Sequence, residues 1–272
     1  MRQLHHLKEP VMRSHNQLIS EQFGSTAAAY LTSAVHSQGA DLQELAAYVA
    51  ASATDNAGGV KAVRVLDLGC GGGHASFAMA AHAAEVVAYD LSASMLEVVH
   101  QAARERGLGN VVIQQGSVDQ LPFADASFDL VCTRYSAHHW RGLPQALLEV
   151  VRVLKPGGRF ILIDTAAPED VLADSYVQAI ELLRDTSHVR NVSPSSWKKL
   201  LSQAGLVIAS EKTWKLPLEF SSWIARMRTP PHHVRAIESL WQSAPAEVRE
   251  YFRLAEDYSF EIDTVMIEAI KR

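Results

Sequence analysis

Three sets of residues in this 272-residue chain have the types and spacing to do chemistry. The first is Asp67-Leu68-Gly69-Cys70-Gly71-Gly72-Gly73, a carboxylate closing an apolar run and followed by a glycine loop. Glycines let a backbone approach a ligand closely, and a helix beginning there offers free N–H groups. Strand, glycine loop and helix together make a nucleotide site. The second is Asp90, 21 residues after Gly69, where a carboxylate can accept both hydroxyls of an adenosine ribose. The third is Arg134-Tyr135-Ser136-Ala137-His138-His139-Trp140. Its two histidines change charge near neutral pH and are the candidate general bases, His138 and His139.

Glycine spacing separates the nucleotides. A dinucleotide fingerprint needs glycine at the first, third and sixth places, the last sometimes alanine. Counting from Gly69 the sixth place is His74, and counting from Gly71 it is Ser76. Neither register fits, so a nicotinamide-dependent oxidoreductase is the weaker alternative. The loop makes no pyrophosphate demand and can receive a compact amino-acid moiety. Plain structural roles stay open as well: a tight turn for Gly69, Gly71 and Gly73, and a helix cap for Asp90.

These residues need a sheet to hold them. Strands are expected over 63–68, 85–90, 111–115, 128–133 and 159–164, with Pro156-Gly157-Gly158 as the turn opening the fifth. Helices are expected over 74–82, 94–106 and 144–154 between them. Such alternation implies a parallel sheet with helices on both faces. Further helices are expected over 171–183 and 195–204, a sixth strand over 206–210, a helical stretch over 217–252 and a last strand over 260–270. Before the sheet, 21–53 is expected to be helical, with apolar stripes at Ala27, Tyr30 and Leu31 and at Leu42, Leu45 and Val49.

Five motifs in order carry a family resemblance. Asp67-Leu68-Gly69-Cys70-Gly71-Gly72-Gly73 resembles the first motif of the class I S-adenosylmethionine-dependent methyltransferases. Tyr89-Asp90-Leu91-Ser92-Ala93-Ser94-Met95-Leu96 resembles their second. Gly116-Ser117-Val118-Asp119-Gln120-Leu121-Pro122-Phe123 and Phe128-Asp129-Leu130-Val131 resemble the third and fourth. Arg152-Val153-Leu154-Lys155-Pro156-Gly157-Gly158 is similar to the turn before their fifth strand. The nearest group is that of the ubiquinone/menaquinone-type methyltransferases, YafE-like proteins among them.

The resemblance implies an α/β, Rossmann-like class I methyltransferase fold: a seven-stranded, mostly parallel sheet with an antiparallel last strand, helices on both faces and an added helical cap. It implies S-adenosyl-L-methionine as methyl donor and S-adenosyl-L-homocysteine as product. Gly69 and Gly71 would approach the methionine part, Asp67 would orient the loop or the amino group, and Asp90 would hold the ribose. Leu91 and Met95 would pack on adenine, and Ser117 and Val118 would face its edge. The family often has aspartate at the Ser117 position. Serine can still accept, more weakly than a charged group; Asp119 or a water is the alternative. A non-catalytic S-adenosylmethionine-binding protein is a second alternative.

Methyl transfer needs alignment of a nucleophile and exclusion of water, and a base only if the acceptor arrives protonated. The acceptor side is expected from Arg134, which could also touch the cofactor, and from Tyr30, His36, Tyr135, His139, His188, Arg190, Arg226 and Arg228. Arg134, Arg190 and one of Arg226 or Arg228 are expected to hold an anionic or polar acceptor. A metal held by His138 and His139 is not expected, because adjacent side chains rarely converge.

Composition bounds the partners. Formal charge is −5 with no basic stripe, which disfavours nucleic acid, so a small-molecule acceptor is expected at O, N or C. A tRNA or protein acceptor is the disfavoured option. No apolar run reaches the length of a membrane helix. Cys70 and Cys132, without CxxC spacing, are expected as free thiols in the cytoplasm. Residues 1–20 have no apolar signal-peptide core and are expected as a flexible arm. Residues 21–272 are expected as one methyltransferase domain: an N-terminal helical cap over 21–56, a cofactor-binding core over 60–166, and acceptor-capping insertions over 170–192 and 215–255. A monomer or a homodimer fits equally.

Overall fold

The computed structural model describes residues 13–24, 39–53 and 62–272. Period-two apolar sequence builds the centre of its sheet. In β1 (Arg64–Leu68), Val65 packs to one side while Leu66 and Leu68 pack to the other. β4 (Phe128–Arg134) sets Val131 opposite Leu130 and Cys132, and β5 (Leu154–Ala166) sets Phe160 and Leu162 opposite Ile161 and Ile163. Strands apolar on both sides must be covered on both faces. On one face α2 (Ala40–Ser52), α3 (His74–Ala80) and α4 (Ala93–Glu105) supply Leu45, Val49, Met79, Leu96 and Val99. On the other, α5 (Leu143–Val153) and a later helix meet the sheet. The α5 stripe of Ala146, Leu147, Val150 and Val153 is buried at helical spacing. Full burial of a side chain such as Leu147 contributes roughly 1.5–3 kcal/mol.

With β2 (Glu85–Asp90), β3 (Val111–Gln115), β6 (Leu206–Leu218) and β7 (Phe260–Lys271), the strand order is β3-β2-β1-β4-β5-β7-β6. β1 pairs in parallel with β2 and β4, β2 with β3, and β4 with β5. β7 runs antiparallel to both β5 and β6, as the resemblance implies. The order reverses between β1 and β4, and ligands in such sheets bind outside the carboxyl ends of the strands at that point.

A separate apolar cluster lies beyond the sheet's working edge. α6 (Val171–Arg184) contributes Val177 and Ile180; α8 (Phe220–Arg226) contributes Trp223; α9 (Pro231–Gln242) contributes Ile237 and Trp241; the end of α10 (Ala246–Tyr251) leads to Phe252. These close on Phe260 and Ile262 of β7. α7 (Pro194–Gln203) packs Trp197 and Leu201 into the sheet core instead. α1 (His15–Gly24) is tied at both ends. His15 Nε2 lies 3.0 Å from the Ser187 carbonyl, and Gln22 Nε2 donates to the Met227 carbonyl at 3.0 Å.

Three boundaries differ from the sequence expectation. The arm boundary at residue 20 falls inside α1, because Ile19 and Phe23 face a cleft. Pro156-Gly157-Gly158 is not a turn before the fifth strand. Leu154 already pairs with Phe128, and the register resumes at Leu130↔Arg159 after an irregularity. β6 runs to Leu218 rather than residue 210, since it pairs along the whole of β7 from Leu206↔Lys271 to Leu218↔Phe260. Among the described residues no helix is long and apolar enough to cross a membrane.

Candidate functional site

The cleft at the switch point encloses about 1080 Å³ of empty space, part of it open to solvent. Its floor is the loop after β1. Gly69 and Cys70 donate their N–H groups to the Tyr89 carbonyl at 2.8 and 3.1 Å, so the loop is pinned to β2. Two glycines there do different work. Gly69 has φ of 67°, and a Cβ on it would stand 1.8 Å from Ser136 Oγ, so it lets the β1 and β4 loops touch. Gly71 has φ of 50°, and a Cβ there would meet no atom within 4 Å, so this backbone faces open cleft.

Asp90 closes β2 and holds the loop from the other side. Its Oδ2 accepts from Gly71 N at 3.0 Å and its Oδ1 from Ser92 N at 2.9 Å. Burial raises its pKa, opposed by backbone donors from Ser92, Gly71 and Leu91. Each oxygen keeps a further lone pair, the acceptor capacity a ribose diol requires. Ser92 in turn caps α4, accepting from Met95 N at 3.3 Å. Asp67 lies deeper, only 1% exposed, and accepts from Ser76 Oγ at 2.6 Å and from Cys132 Sγ at 3.6 Å. Burial pushes its pKa up to about 6 even against the lowering effect of those donors. A buried carboxylate at the base of a cleft suits a cationic amino group.

Leu91, Met95 and Val118 give the cleft an apolar wall, with Ser117 and Asp119 beside them. Ser117 Oγ donates to Asp119 Oδ2 at 3.2 Å, and Asp119 N lies 3.4 Å from Ser117 Oγ. Asn16, Ile19 and Phe23 of α1 cover the opening. Gly71 facing the space, Asp90 for the ribose and Asp67 at the base together fit S-adenosylmethionine.

Arg134 also lines the cleft, but its Nε is ion-paired with Asp41 of α2, and its guanidinium lies 4.8 Å from the Tyr135 ring centroid. Tyr135 has φ of 52°, a left-handed conformation rare without glycine. Its N–H donates to the Ile163 carbonyl at 2.8 Å. This turn sends the chain into a short 3₁₀ segment, Ala137–His139.

That segment separates the cleft from a second cavity of about 670 Å³, and Phe23, Tyr135 and His139 line both. His139 Nδ1 lies 3.0 Å from the Ser187 carbonyl, which can only accept, so Nδ1 carries the proton. Nε2 is then the acceptor, 4.0 Å from Asp185 Oδ2. Burial, then the neighbouring His138, pulls the His139 pKa down to about 4. His138 behaves oppositely. Burial lowers it, but the charge and hydrogen bond of Asp164 outweigh that, with Glu181 and Asp185 adding to the rise. Its Nδ1 lies 2.6 Å from Asp164 Oδ1. His188 is buried against Gln178 Oε1 at 3.2 Å; burial and then His138 lower it to about 2.

The expected arginines divide. Arg226 lines the second cavity; Arg190 and Arg228 line neither. Arg190 is half exposed and paired with Asp174, and Arg228 is exposed beyond α8. Tyr30 and His36 lie outside the described residues. The sequence reading missed Asp41, Asp164 and Asp185. Asp164 ended a predicted strand, and Asp185 lies in the Arg184–Asn191 stretch, dense in hydrogen-bonding groups, so both had a usable signal; Asp41 gave none. Among the described residues no three His, Cys, Asp or Glu side chains are grouped to hold a metal ion.

A methyltransferase domain model matches residues 66–162, the span from β1 to β5. The chain is 51% identical over 199 residues to the uncharacterised protein YafE of Escherichia coli, covering 73% of this chain and 96% of YafE. It is 39% identical over 214 residues to the uncharacterised methyltransferase YcgJ of Bacillus subtilis, covering 77% and 85%. The crystal structure of YcgJ superposes with a TM-score of 0.77 at 36% identity, covering 85% of this chain and 98% of that one. A demethylmenaquinone methyltransferase of Lactococcus lactis is 34% identical over 140 residues, half of this chain and 52% of that protein. With its strand order and its glycine loop at the switch point, the chain belongs to the class I S-adenosylmethionine-dependent methyltransferases, in the YafE and menaquinone-methyltransferase-like group.

Proposed function

We propose that this methyltransferase modifies a small molecule held in the second cavity, beside His139. The observation that carries the reading is the shared wall: Phe23, Tyr135 and His139 line both spaces. A donor in the first and an acceptor in the second would meet across those side chains.

When bound, S-adenosylmethionine would supply an electrophilic sulfonium methyl, open to in-line attack by an acceptor lone pair with the thioether sulfur as leaving group. The chain's own residues would do the rest. Asp90 binds the ribose, Asp67 faces the amino group, and Gly71 lets the backbone approach the methionine part. Leu91, Met95 and Val118 pack on adenine, and Asp119 with Ser117 takes its polar edge. Ile19 and Phe23 of α1 keep water from the reacting centre, which such displacements require. His139, neutral at pH 7, offers Nε2 as a hydrogen-bond acceptor at the junction. The balance of charges around the second cavity, and its enclosure between β4 and the helical cluster, favour a compact acceptor over a nucleic acid. Cys70 and Cys132 are free thiols, in keeping with a cytoplasmic setting.

Calorimetric titration tests the donor site. S-adenosylhomocysteine is expected to bind and NAD is not. Asp90→Ala is expected to weaken S-adenosylhomocysteine by about 1.5–3 kcal/mol, the value of hydrogen bonds to a charged group. Unchanged affinity in that variant would remove Asp90 from the site. NAD binding without S-adenosylhomocysteine binding would overturn the reading.

A further inference from the structure

We infer, resting on the methyl-transfer reading above, that the acceptor is a primary amine whose two N–H bonds are taken by Asp185 and His139. Asp185 Oδ2 and His139 Nε2 stand 4.0 Å apart, and both side chains line the second cavity. They are only 3% and 8% exposed. Among the described residues neither of these two atoms receives a hydrogen bond. Asp185 meets neutral donors alone: Ser187 N at 2.8 Å and Ser187 Oγ at 2.6 Å, both on Oδ1. No lysine or arginine nitrogen of the described residues lies within 4.0 Å of it. A buried carboxylate with no cation beside it is costly, and a cationic ligand offsets that cost.

One fully buried residue, Ser187, aims both acceptors. Its carbonyl accepts from His139 Nδ1 at 3.0 Å, which leaves the ring's lone pair on Nε2. Its N–H and hydroxyl hold Asp185 Oδ1, which leaves Oδ2 for a ligand. Phe23 sets its ring edge-on to His139, with centroids 5.0 Å apart. Burial and then His138 keep the His139 pKa near 4, so Nε2 stays an acceptor at neutral pH. A nitrogen about 2.9 Å from each atom spans the gap between them. Two convergent acceptors then select by the number of protons a group can give. A primary amine gives two and keeps a lone pair for the methyl. An alcohol or phenol gives one and leaves an acceptor unmet. A carboxylate gives none and is repelled by Asp185. An amide gives two, but its lone pair is delocalised into the carbonyl. Of the other charged side chains on this wall, Glu181 pairs with Arg184 at 3.4 Å and Arg226 makes contacts of its own. Leu216, Leu218 and Trp223 supply apolar surface for the body of the amine.

The step balances. The ammonium form of the acceptor releases one proton to water on entering. The nitrogen lone pair then forms a bond to the methyl carbon as the carbon–sulfur bond breaks, the electron pair of that bond going to sulfur. Positive charge therefore moves from sulfur to nitrogen, toward Asp185. A fixed carboxylate placed where a cation develops stabilises the transition state more than the ground state. The product ammonium keeps its two N–H bonds on the same two atoms. After losing a proton it is a secondary amine with one N–H, which no longer meets both acceptors, so the site adds a single methyl group.

The probes are benzylamine and phenethylamine, each beside its alcohol counterpart, titrated calorimetrically at neutral pH into protein saturated with S-adenosylhomocysteine. Each amine is expected to bind about tenfold or more tighter than its alcohol, the value of a hydrogen bond to a charged group. N,N-dimethylbenzylamine, with a single N–H even as a cation, should bind about fivefold or more weaker than benzylamine. Asp185→Asn should bring the amines down to the level of the alcohols while alcohol and S-adenosylhomocysteine affinities hold; a merely structural role would weaken all of them together. Amines that fail to bind the loaded wild type, or bind no tighter than the alcohols, overturn the acceptor class. Unchanged amine affinity in Asp185→Asn overturns the site, and a dimethylated amine that binds as well as benzylamine overturns the two-donor fit. Failure of S-adenosylhomocysteine itself to bind strikes the methyl-transfer reading instead.

Discussion

Arg134 at the end of β4 and Asp41 in the first turn of α2 form an ion pair whose side chains are only 6% and 7% exposed. The pair joins residues 93 apart in sequence. It ties the helix covering one sheet face to the strand end that borders both cavities. Arg134 was expected to hold an acceptor; its charge is instead matched inside the protein. Asp41→Ala is expected to cost about 3 kcal/mol, because removing one partner leaves a buried charge poorly compensated. Urea unfolding measures the loss. A double-mutant cycle with Arg134→Ala should give a coupling above about 1 kcal/mol. Coupling near zero would mean that the two side chains are neighbours without energetic linkage.

The glycines of the first loop should separate stability from binding. Gly69→Ala places a methyl 1.8 Å from Ser136 Oγ at a left-handed φ of 67°. Its expected cost is more than about 2 kcal/mol of unfolding free energy, the left-handed penalty plus a clash. Gly71→Ala has open space, so only the left-handed term of about 1–2 kcal/mol applies. Its methyl projects into the cleft, and S-adenosylhomocysteine affinity should fall tenfold or more, about 1.4 kcal/mol. Denaturation and calorimetry on the two variants decide. Equal affinity losses would contradict the division of roles.

Much of this site was legible because its parts are local in sequence. Asp67, Gly69, Gly71 and Asp90 sit at strand ends that apolar periodicity locates, and β-α alternation brings those ends to one edge. The groups that tune the site are not local. Asp41 reaches Arg134 and Asp164 reaches His138 only after the sheet forms, and no spacing rule connects them. Arg190 misled for the same reason: its partner Asp174, 16 residues earlier, turns it to the surface. Pro156-Gly157-Gly158 read as a turn because proline and glycine usually end strands, yet β4 pairs on both sides of the irregularity.

Adenine recognition gives a prediction about two adjacent acceptors. The methyltransferases this chain resembles often carry aspartate where Ser117 stands. Here Ser117 donates its hydroxyl to Asp119 at 3.2 Å, and both line the cleft. Asp119, two positions on, is a charged acceptor in the same cleft and is expected to take the adenine contact. Asp119→Ala is expected to weaken S-adenosylhomocysteine by about 1.5–3 kcal/mol and Ser117→Ala by less than about 1 kcal/mol. Calorimetry ranks them. A larger loss at Ser117 would return the adenine contact to the serine.

Stability should fall in acid, and the residues responsible can be separated. His139 titrates near 4 in the folded chain against 6.5 unfolded, chiefly because burial disfavours its charged form. The unfolded chain therefore takes up the proton first as pH falls. Native stability is present above pH 6.5 and is lost through the window down to about 4, by roughly 3 kcal/mol. His188, lowered to about 2 for the same reason, acts in the same direction over a wider range. Asp67 opposes them. Its folded pKa of about 6 exceeds the ordinary carboxylate value, so the native state binds that proton first, and its contribution is lost as pH rises toward 6. His138 and Asp90, raised as well, act with Asp67. The two lowered histidines are expected to outweigh the three and leave a net decline on acidification. Urea midpoints at intervals from pH 7.5 to 4.5 should show it. His188→Gln should flatten the slope, because glutamine takes up no proton there, and Asp67→Asn should steepen it by removing an opposing group. A midpoint independent of pH in the wild type, or slopes that move the other way in the variants, would mean that these side chains do not hold the buried protonation states assigned to them.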